Sequence, residues 1–341
     1  MLYMKRRILY LGNKLAAKGF TPTNIDTLGP LLEQEGYELF YAGTKKSKQL
    51  RFAQMILMII KCRKQVDYIL LDTYSTQYFW FAYTAARLCY FFNLKYIPIL
   101  HGGDLPKRLS QSPKSSRFLF ENSFQNVSPS LYLKDAFEKA GFRNIEVIPN
   151  SISLADYPFH RERSYKQPKI LWVRSFAAIY NPMLALRLVE ELISQYPGIH
   201  LTMVGPDKDG SLKRCQEYAL EHKLPVNFTG KLSKTEWISR SMDFDIFLNT
   251  THYDNTPVSV IEAMALGLPV LSTRVGGIPF LLKHGKTGLL YEDSDLTGLL
   301  EQVERVVKDQ DKREEIISRA RLKAEEYDWC RVKNKWHKLL T

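Results

Sequence analysis

Short runs of β-branched and aromatic residues alternate along this chain with longer stretches in which apolar positions recur every three to four residues, the pattern of βα units that build parallel sheets. In the first half, Ile8–Leu11, Glu38–Tyr41, Tyr68–Asp72, Tyr96–Leu100, Gln125–Val127 and Ile145–Pro149 predict strands, with helical patterns between most of them. A charged, proline-containing connection, His160–Lys169 (HRERSYKQPK), reads as a linker. The pattern then restarts with Ile170–Val173, His200–Val204, Val226–Phe228, Asp245–Leu248, Pro269–Ser272 and Gly288–Tyr291, separated by helices such as Pro182–Tyr196 and Val258–Leu266. From Leu296 to Thr341 the chain is helical by period and holds more than one helix. The expected fold class is therefore α/β, with two doubly wound sheets. One domain is expected over 1–163 and a second over 164–328, with a last helix over 329–341 that packs back on the first. Such sheets bind ligands outside the carboxyl ends of their strands, and two of them imply a cleft.

Length and composition fit this reading. At 341 residues the chain suits two domains, and 45% apolar with 25% charged residues is ordinary for a chain that folds throughout. The net charge of +12 is uneven: residues 1–163 carry 23 basic against 13 acidic groups, a net of +10, and the remainder carries +2. A basic face attracts nucleic acid, anionic lipid or phosphorylated ligands through the same field, or serves solubility alone. Cys62, Cys89, Cys215 and Cys330 form no close pair, which suggests neither zinc nor disulfides and fits a reducing, cytoplasmic setting. Met1–Arg7 leads directly into ILYLG, with no signal-peptide pattern. Phe52–Ile60 and Tyr78–Phe92, the latter interrupted by Arg87, fall short of the roughly 18 apolar residues of a membrane span.

The most informative stretch is Phe247–Gly277, FLNTTHYDNTPVSVIEAMALGLPVLSTRVGG. Thr256 suits an N-cap and Pro257 a first helical position, so a helix is expected to start there and run to about Leu266, where Gly267 provides a left-handed cap and Pro269 prevents continuation. A helix amino terminus after a strand offers N–H groups and a positive dipole end to a diphosphate, which makes Asn255, Thr256, Pro257 and Val258 candidate donor-binding positions. Asp254 lies before this terminus and Glu262 about one and a half turns inside the helix. One carboxylate can hold a ribose diol and the other the hydroxyls of a sugar. An acidic residue ahead of a helix and a glutamate within it can equally be structural. Gly276–Gly277, after the next strand, offers bare backbone to a ligand.

Here the chain resembles the retaining glycosyltransferases of family 4, which have the GT-B fold of two Rossmann-like domains facing each other across a cleft. Their signature of two acids eight positions apart, a small-residue helix, Gly-x-Pro-Val and a glycine pair is matched by DNTPVSVIE (Asp254–Glu262), AMALGLPVLSTRVGGIP and HGKTGLL, with Asp for the usual first Glu. The resemblance implies that Glu262 holds the ribose of a nucleotide-sugar donor and that Asp254 faces the transferred sugar. IPNSIS (Ile148–Ser153) resembles the family's I-P-N-G-I-D stretch, and LWVRSF its strand ending in Gly-Arg, so Arg174 is implied to neutralise the donor phosphates. A lysine usually follows that arginine by five or six positions, where this chain has Ile179 and Tyr180; either Lys231 supplies the second cation or Arg174 and the helix dipole suffice. MVGPDKDG, with Gly205, matches the glycine loop that skirts the base, and YLGNKLAAKG, with Gly12, the first-strand loop whose amides approach phosphates and acceptor. HGGD places His101 where the family has a strand-end histidine reaching the donor sugar.

The resemblance implies transfer with retention by front-face departure: the diphosphate leaves toward Arg174 and the helix terminus, and its oxygen helps deprotonate the acceptor, with Asp254 and His101 at the sugar. No cofactor and no metal are expected. The partners implied are a nucleotide-diphosphate sugar and a saccharide or lipid-linked saccharide acceptor, bound by the C-terminal and N-terminal domains respectively, in surface polysaccharide or glycolipid assembly. Lys45, Lys46, Lys48 and Arg51 precede Phe52–Ile60, which suits a helix resting on the inner face of an anionic membrane or, equally, a core helix with a basic cap. An epimerase or phosphorylase of the same fold stays open. A dinucleotide oxidoreductase is disfavoured because GNKLAAKG lacks the middle glycine of G-x-G-x-x-G, and a nucleic-acid-binding protein because the second half is nearly neutral.

Overall fold

Strands buried on both faces must be apolar throughout, and the chain's continuous runs become such strands. The computed structural model describes residues 6–341; of the stretch from Met1 read above for a signal peptide, residues 1–5 lie outside them. The chain divides into two compact units, Met1–Ser151 with Cys330–Thr341, and Ile152–Trp329.

The first unit holds a parallel sheet of β1 (Arg7–Leu11), β2 (Glu38–Ala42), β3 (Tyr68–Thr73), β4 (Tyr96–Leu100), β5 (Asn126–Ser128) and β6 (Ile145–Val147), in the order β2-β1-β3-β4-β5-β6. Helices α1 (Asn24–Gln34), α2 (Lys48–Cys62), α3 (Tyr78–Phe91), α4 (Leu105–Gln111), α5 (Pro113–Glu121) and α6 (Leu131–Lys139) connect the strands. Leu9, Leu11, Ile69 and Leu71 pack against Met55 and Ile59 of α2 and Phe79 and Ala82 of α3 in one core.

The second unit's sheet comprises β7 (Lys169–Val173), β8 (His200–Val204), β9 (Val226–Gly230), β10 (Ile246–Asn249), β11 (Val270–Thr273) and β12 (Leu289–Tyr291), again parallel, in the order β12-β11-β10-β7-β8-β9. Its helices are α7 (Pro182–Leu192), α8 (Ser211–Glu221), α9 (Lys234–Arg240), α10 (Val258–Ala265), α11 (Ile278–Leu281), α12 (Leu296–Lys308) and α13 (Gln310–Glu325). Alternate residues of β7 serve opposite faces: Ile170 and Trp172 join the core with α7 and α12, while Leu171 and Val173 join the core with α10 and α13.

The first chain crossing falls at Ser151–Ile152, twelve residues before the expected boundary between 163 and 164. His160–Lys169 is polar in sequence yet belongs to the second unit. Tyr165 is buried in its core, the His160 amide donates to Leu266 O (3.3 Å), and Arg163 donates to the carbonyls of Ser241 (2.9 Å) and Leu266 (3.2 Å). At the far end, α14 (Trp329–Leu340) returns almost entirely to the first unit, where Lys333 pairs with Glu35 (3.1 Å) and Lys335 donates to Val147 O (2.9 Å).

Candidate functional site

In an open parallel sheet the ligand crevice lies where the strand order reverses direction. In the second unit that point falls between β7 and β10, and the signature segment follows β10 directly. Arg174, the residue after β7, forms an ion pair with Asp254, and its Nε donates to Asn249 Oδ1 (3.3 Å) at the end of β10. Asn249 Nδ2 in turn donates to Ser272 Oγ of β11 (2.9 Å), so a polar chain crosses three strand ends. Tyr180 stands 5.1 Å from the guanidinium and stacks under it, at one of the two places where the related lysine would be. Two residues assigned separate tasks from sequence, Arg174 and Asp254, are thus direct partners.

Helix α10 begins one residue later than expected. Pro257 is its N-cap, extended at ψ 119°, and Thr256 makes no cap; a proline has no side-chain acceptor, so no side chain caps this terminus. Thr256 and Asn255 are buried instead. At the other end Gly267 adopts the expected left-handed conformation (φ +78°). In the first turn, Ser259 Oγ is buried without a hydrogen-bond partner, a donor the sequence reading did not single out.

Glu262 is buried and its Oε1 takes both the Tyr157 hydroxyl (2.8 Å) and the Lys234 ammonium (2.8 Å). Burial and the adjacent carboxylate push the Tyr157 phenol above its ordinary range, so it remains a donor. Neither partner was singled out from sequence. Tyr157 lay in the part assigned to the other domain, and Lys234 sits in the first turn of α9 behind the Ser233/Glu236 capping box. Lys231, at the other end of that loop, is exposed.

The glycines read as ligand-facing also pack against the site's own backbone. A Cβ on Gly205 (φ +153°) would lie 1.8 Å from Arg174 O, and the Gly205 amide donates to Gly230 O (2.8 Å). Cβ atoms on Gly276 and Gly277 would meet Asp254 O at 2.2 Å and Asn255 O at 1.9 Å, and the Gly277 amide donates to Asp254 O (2.9 Å). These residues let neighbouring backbone pass and so fix Arg174 and Asp254; the Gly205 and Gly277 amides are already committed.

In the first unit the strand order reverses between β1 and β3. Asp72, buried near the end of β3, accepts from the Tyr10 hydroxyl (3.0 Å) and from Nε2 of His101 (2.9 Å), the residue after β4. His101 also lies against the Tyr74 ring, 5.1 Å between centroids. A small pocket beside this cluster is lined by Leu11, Gly12, Asn13, Asp72, Tyr74 and Tyr78, among others. The Gly12 amide is committed to Ala42 O (3.2 Å), and a Cβ there would lie 2.4 Å from Asp72 Oδ2, so this glycine makes room for a carboxylate. Asp72 is the residue that sequence reading missed: it was read as the end of a strand, with its partners 62 and 29 positions away.

Paired sheets of this topology define a GT-B fold. Sucrose-phosphate synthase from Thermosynechococcus elongatus has the same fold at TM-score 0.79 and 14% identity over 98% of each chain. The crystal structure of Anabaena Alr3699/HepE in complex with UDP and glucose matches at TM-score 0.77 and 17% identity over 98% of this chain and 99% of that one. Residues 156–323 match the glycosyl transferases group 1, and this stretch of the chain belongs to that family. The sulfoquinovosyl transferase SQD2 of Arabidopsis thaliana is 31% identical over 148 residues, 42% of this chain and 28% of that protein. The curated relatives are matched over less than half of their own length.

Proposed function

We propose that the protein is a retaining, metal-independent glycosyltransferase that moves a sugar from a nucleotide-diphosphate donor to a saccharide or lipid-linked saccharide acceptor, in the assembly of a surface polysaccharide or glycolipid. Family membership and a UDP-bound protein of the same fold support the donor class. The observation that carries the reading is the Arg174–Asp254 pair at the switch point, set ahead of an uncapped helix that buries Glu262. Tyr157 and Lys234 both engage Oε1 of Glu262, which directs Oε2 to a ribose diol. Asn255 to Val258 present the helix terminus to the diphosphate, and Arg174 adds a guanidinium charge; Lys231 is assigned as a second cation.

In this scheme the bond from the anomeric carbon to the phosphate oxygen breaks, and its electrons pass to the diphosphate beside Arg174. The acceptor hydroxyl attacks the same face, and its proton goes to the departing phosphate oxygen. Asp254 orients the sugar hydroxyls. His101, whose ring orientation is set by Asp72, binds a sugar hydroxyl in the first unit through its remaining nitrogen.

A thermal-shift screen of nucleoside diphosphates and their sugars, repeated on Glu262→Ala, tests the donor site. The expected result is stabilisation of the wild type that disappears in the variant; equal stabilisation of both would overturn the ribose assignment. Proton NMR of the product is expected to give the donor's anomeric configuration, and EDTA is expected to leave turnover unchanged.

A further inference from the structure

Helix α2 buries Met55, Ile59 and Cys62, yet its opposite side is also apolar: Leu50, Leu57 and Ile60 are exposed by 62, 65 and 38%. The neighbouring α3 repeats the arrangement. Phe79, Ala82 and Cys89 face the core, while Trp80 and Phe91, three turns apart on one line, are exposed by 45 and 78%. The two helices are packed together through Phe52 and Phe81, with ring centroids 4.7 Å apart, and through Arg51, which donates to the Tyr78 hydroxyl (2.7 Å). Arg51 is therefore a buried strut and not one of the surface charges it was grouped with from sequence.

The two helices and the loops that flank them, Asp67 apart, carry charge of one sign. No aspartate or glutamate occurs between Glu38 and Asp67 or between Asp72 and Asp104. Asp72 is buried, and Asp67 is engaged by Arg6 (3.3 Å) and the Arg7 amide (2.8 Å). Lys45, Lys46, Lys48, Lys61, Lys64 and Arg87 are exposed around the apolar stripe. Among the five tryptophans, Trp172, Trp237, Trp329 and Trp336 are buried, and Trp80 stands on this face.

We propose that the outer face of α2 and α3 docks on an anionic lipid bilayer, with Leu57, Trp80 and Phe91 seated at the boundary of the acyl chains and the surrounding lysines and Arg87 on the headgroups. An apolar stripe edged with cations and carrying an amphipathic ring is what such an interface selects. A second copy of the chain fits less well, because a two-fold contact would press two basic faces together. At 15 residues α2 is too short to span, so the contact is interfacial. The inference stands independently of the proposed chemistry.

The test is co-sedimentation of the full chain with vesicles of phosphatidylcholine alone or mixed with phosphatidylglycerol, at low and raised salt. Binding is expected to the mixed vesicles, to weaken with salt, and to fall about tenfold in Lys61→Gln/Lys64→Gln and in Leu57→Ser/Phe91→Ser. Brominated lipid is expected to quench the fluorescence of Trp80, an effect absent in Trp80→Phe, which needs no destabilising substitution. Vesicle binding without dependence on anionic lipid, or quenching that persists in Trp80→Phe, would overturn the proposal. So would a wild-type dimer in solution that Leu57→Ser/Phe91→Ser converts to monomer, since the face would then be a contact between copies.

Discussion

The Tyr157 hydroxyl donates to Glu262 Oε1 over 2.8 Å, tying the first residues of the second unit to the middle of α10. A buried carboxylate needs such donors to satisfy it and hold it in one rotamer, and here a phenol and an ammonium meet on the same oxygen.

Replacing Tyr157 with Phe keeps the ring and removes the donor. A hydrogen bond to a charged group is worth about 1.5–3 kcal/mol, so nucleoside diphosphate affinity is expected to fall at least about tenfold. Isothermal titration calorimetry measures this directly. An unchanged dissociation constant would release Tyr157 from any part in donor binding.

Arg174→Lys retains the charge but loses the planar fork that spans Asp254 and Asn249 and lies on Tyr180. Turnover is expected to fall by about two orders of magnitude with a smaller change in KM, the pattern of a group that acts as the leaving charge develops. Steady-state kinetics on the best donor from the screen would decide, and a pure KM effect would reassign the residue to ground-state binding.

Gly277 has an ordinary φ of −82°, so alanine there is not strained by its backbone angles. Its added methyl would nonetheless sit 1.9 Å from Asn255 O. Overpacking of this kind costs about 1–3 kcal/mol, and the loop bearing Asp254 must move to relieve it. Gly277→Ala is therefore expected to lower the denaturation midpoint and to weaken donor binding together. Retention of both would mean that the loop yields without disturbing Asp254.

His284 couples the second unit's stability to pH. Burial first, then Arg274 and Arg305, hold its imidazole below the ordinary value of 6.5, and its Nδ1 accepts from the Leu290 amide (3.0 Å), which requires an unprotonated nitrogen. The unfolded chain then binds more protons than the folded one, so stability rises with pH through this window. The contribution is complete above the unfolded value and is lost as pH falls through the folded one. His284→Asn, which retains an acceptor near Nδ1, is expected to flatten the acid limb of a Tm-against-pH curve; an identical limb would exclude this histidine as its source.

The strands were legible in the sequence because burial on both faces leaves uninterrupted apolar runs, and Gly267 announced the end of α10 because a left-handed cap has few alternatives. The start of α10 was misplaced by one residue, since Thr-Pro satisfies the statistics of a cap while Pro257 is held extended. Gly205, Gly276 and Gly277 lie against the chain's own carbonyls. Sequence records that a position tolerates no side chain, but not whether a ligand or the chain's own carbonyl occupies the space. Asp72, Tyr157 and Lys234 gave no signal because their roles are created by partners 29, 105 and 28 positions away, which only the sheet topology brings together.

The path of α14 makes the polypeptide a natural split protein. A single nick between Ser151 and Ile152 would separate the chain into two pieces, yet the larger piece would still carry the helix that completes the smaller one. That helix is held by Lys333 on Glu35, by His337 Nδ1 hydrogen-bonded to the Tyr37 hydroxyl (2.9 Å) and by Arg6 donating to Thr341 O (2.8 Å). Residues 330–341 thus act as a built-in affinity tag for residues 1–151, and fragments divided at this point should reassociate when co-expressed, whereas a second fragment that ends at Trp329 would lack the tag.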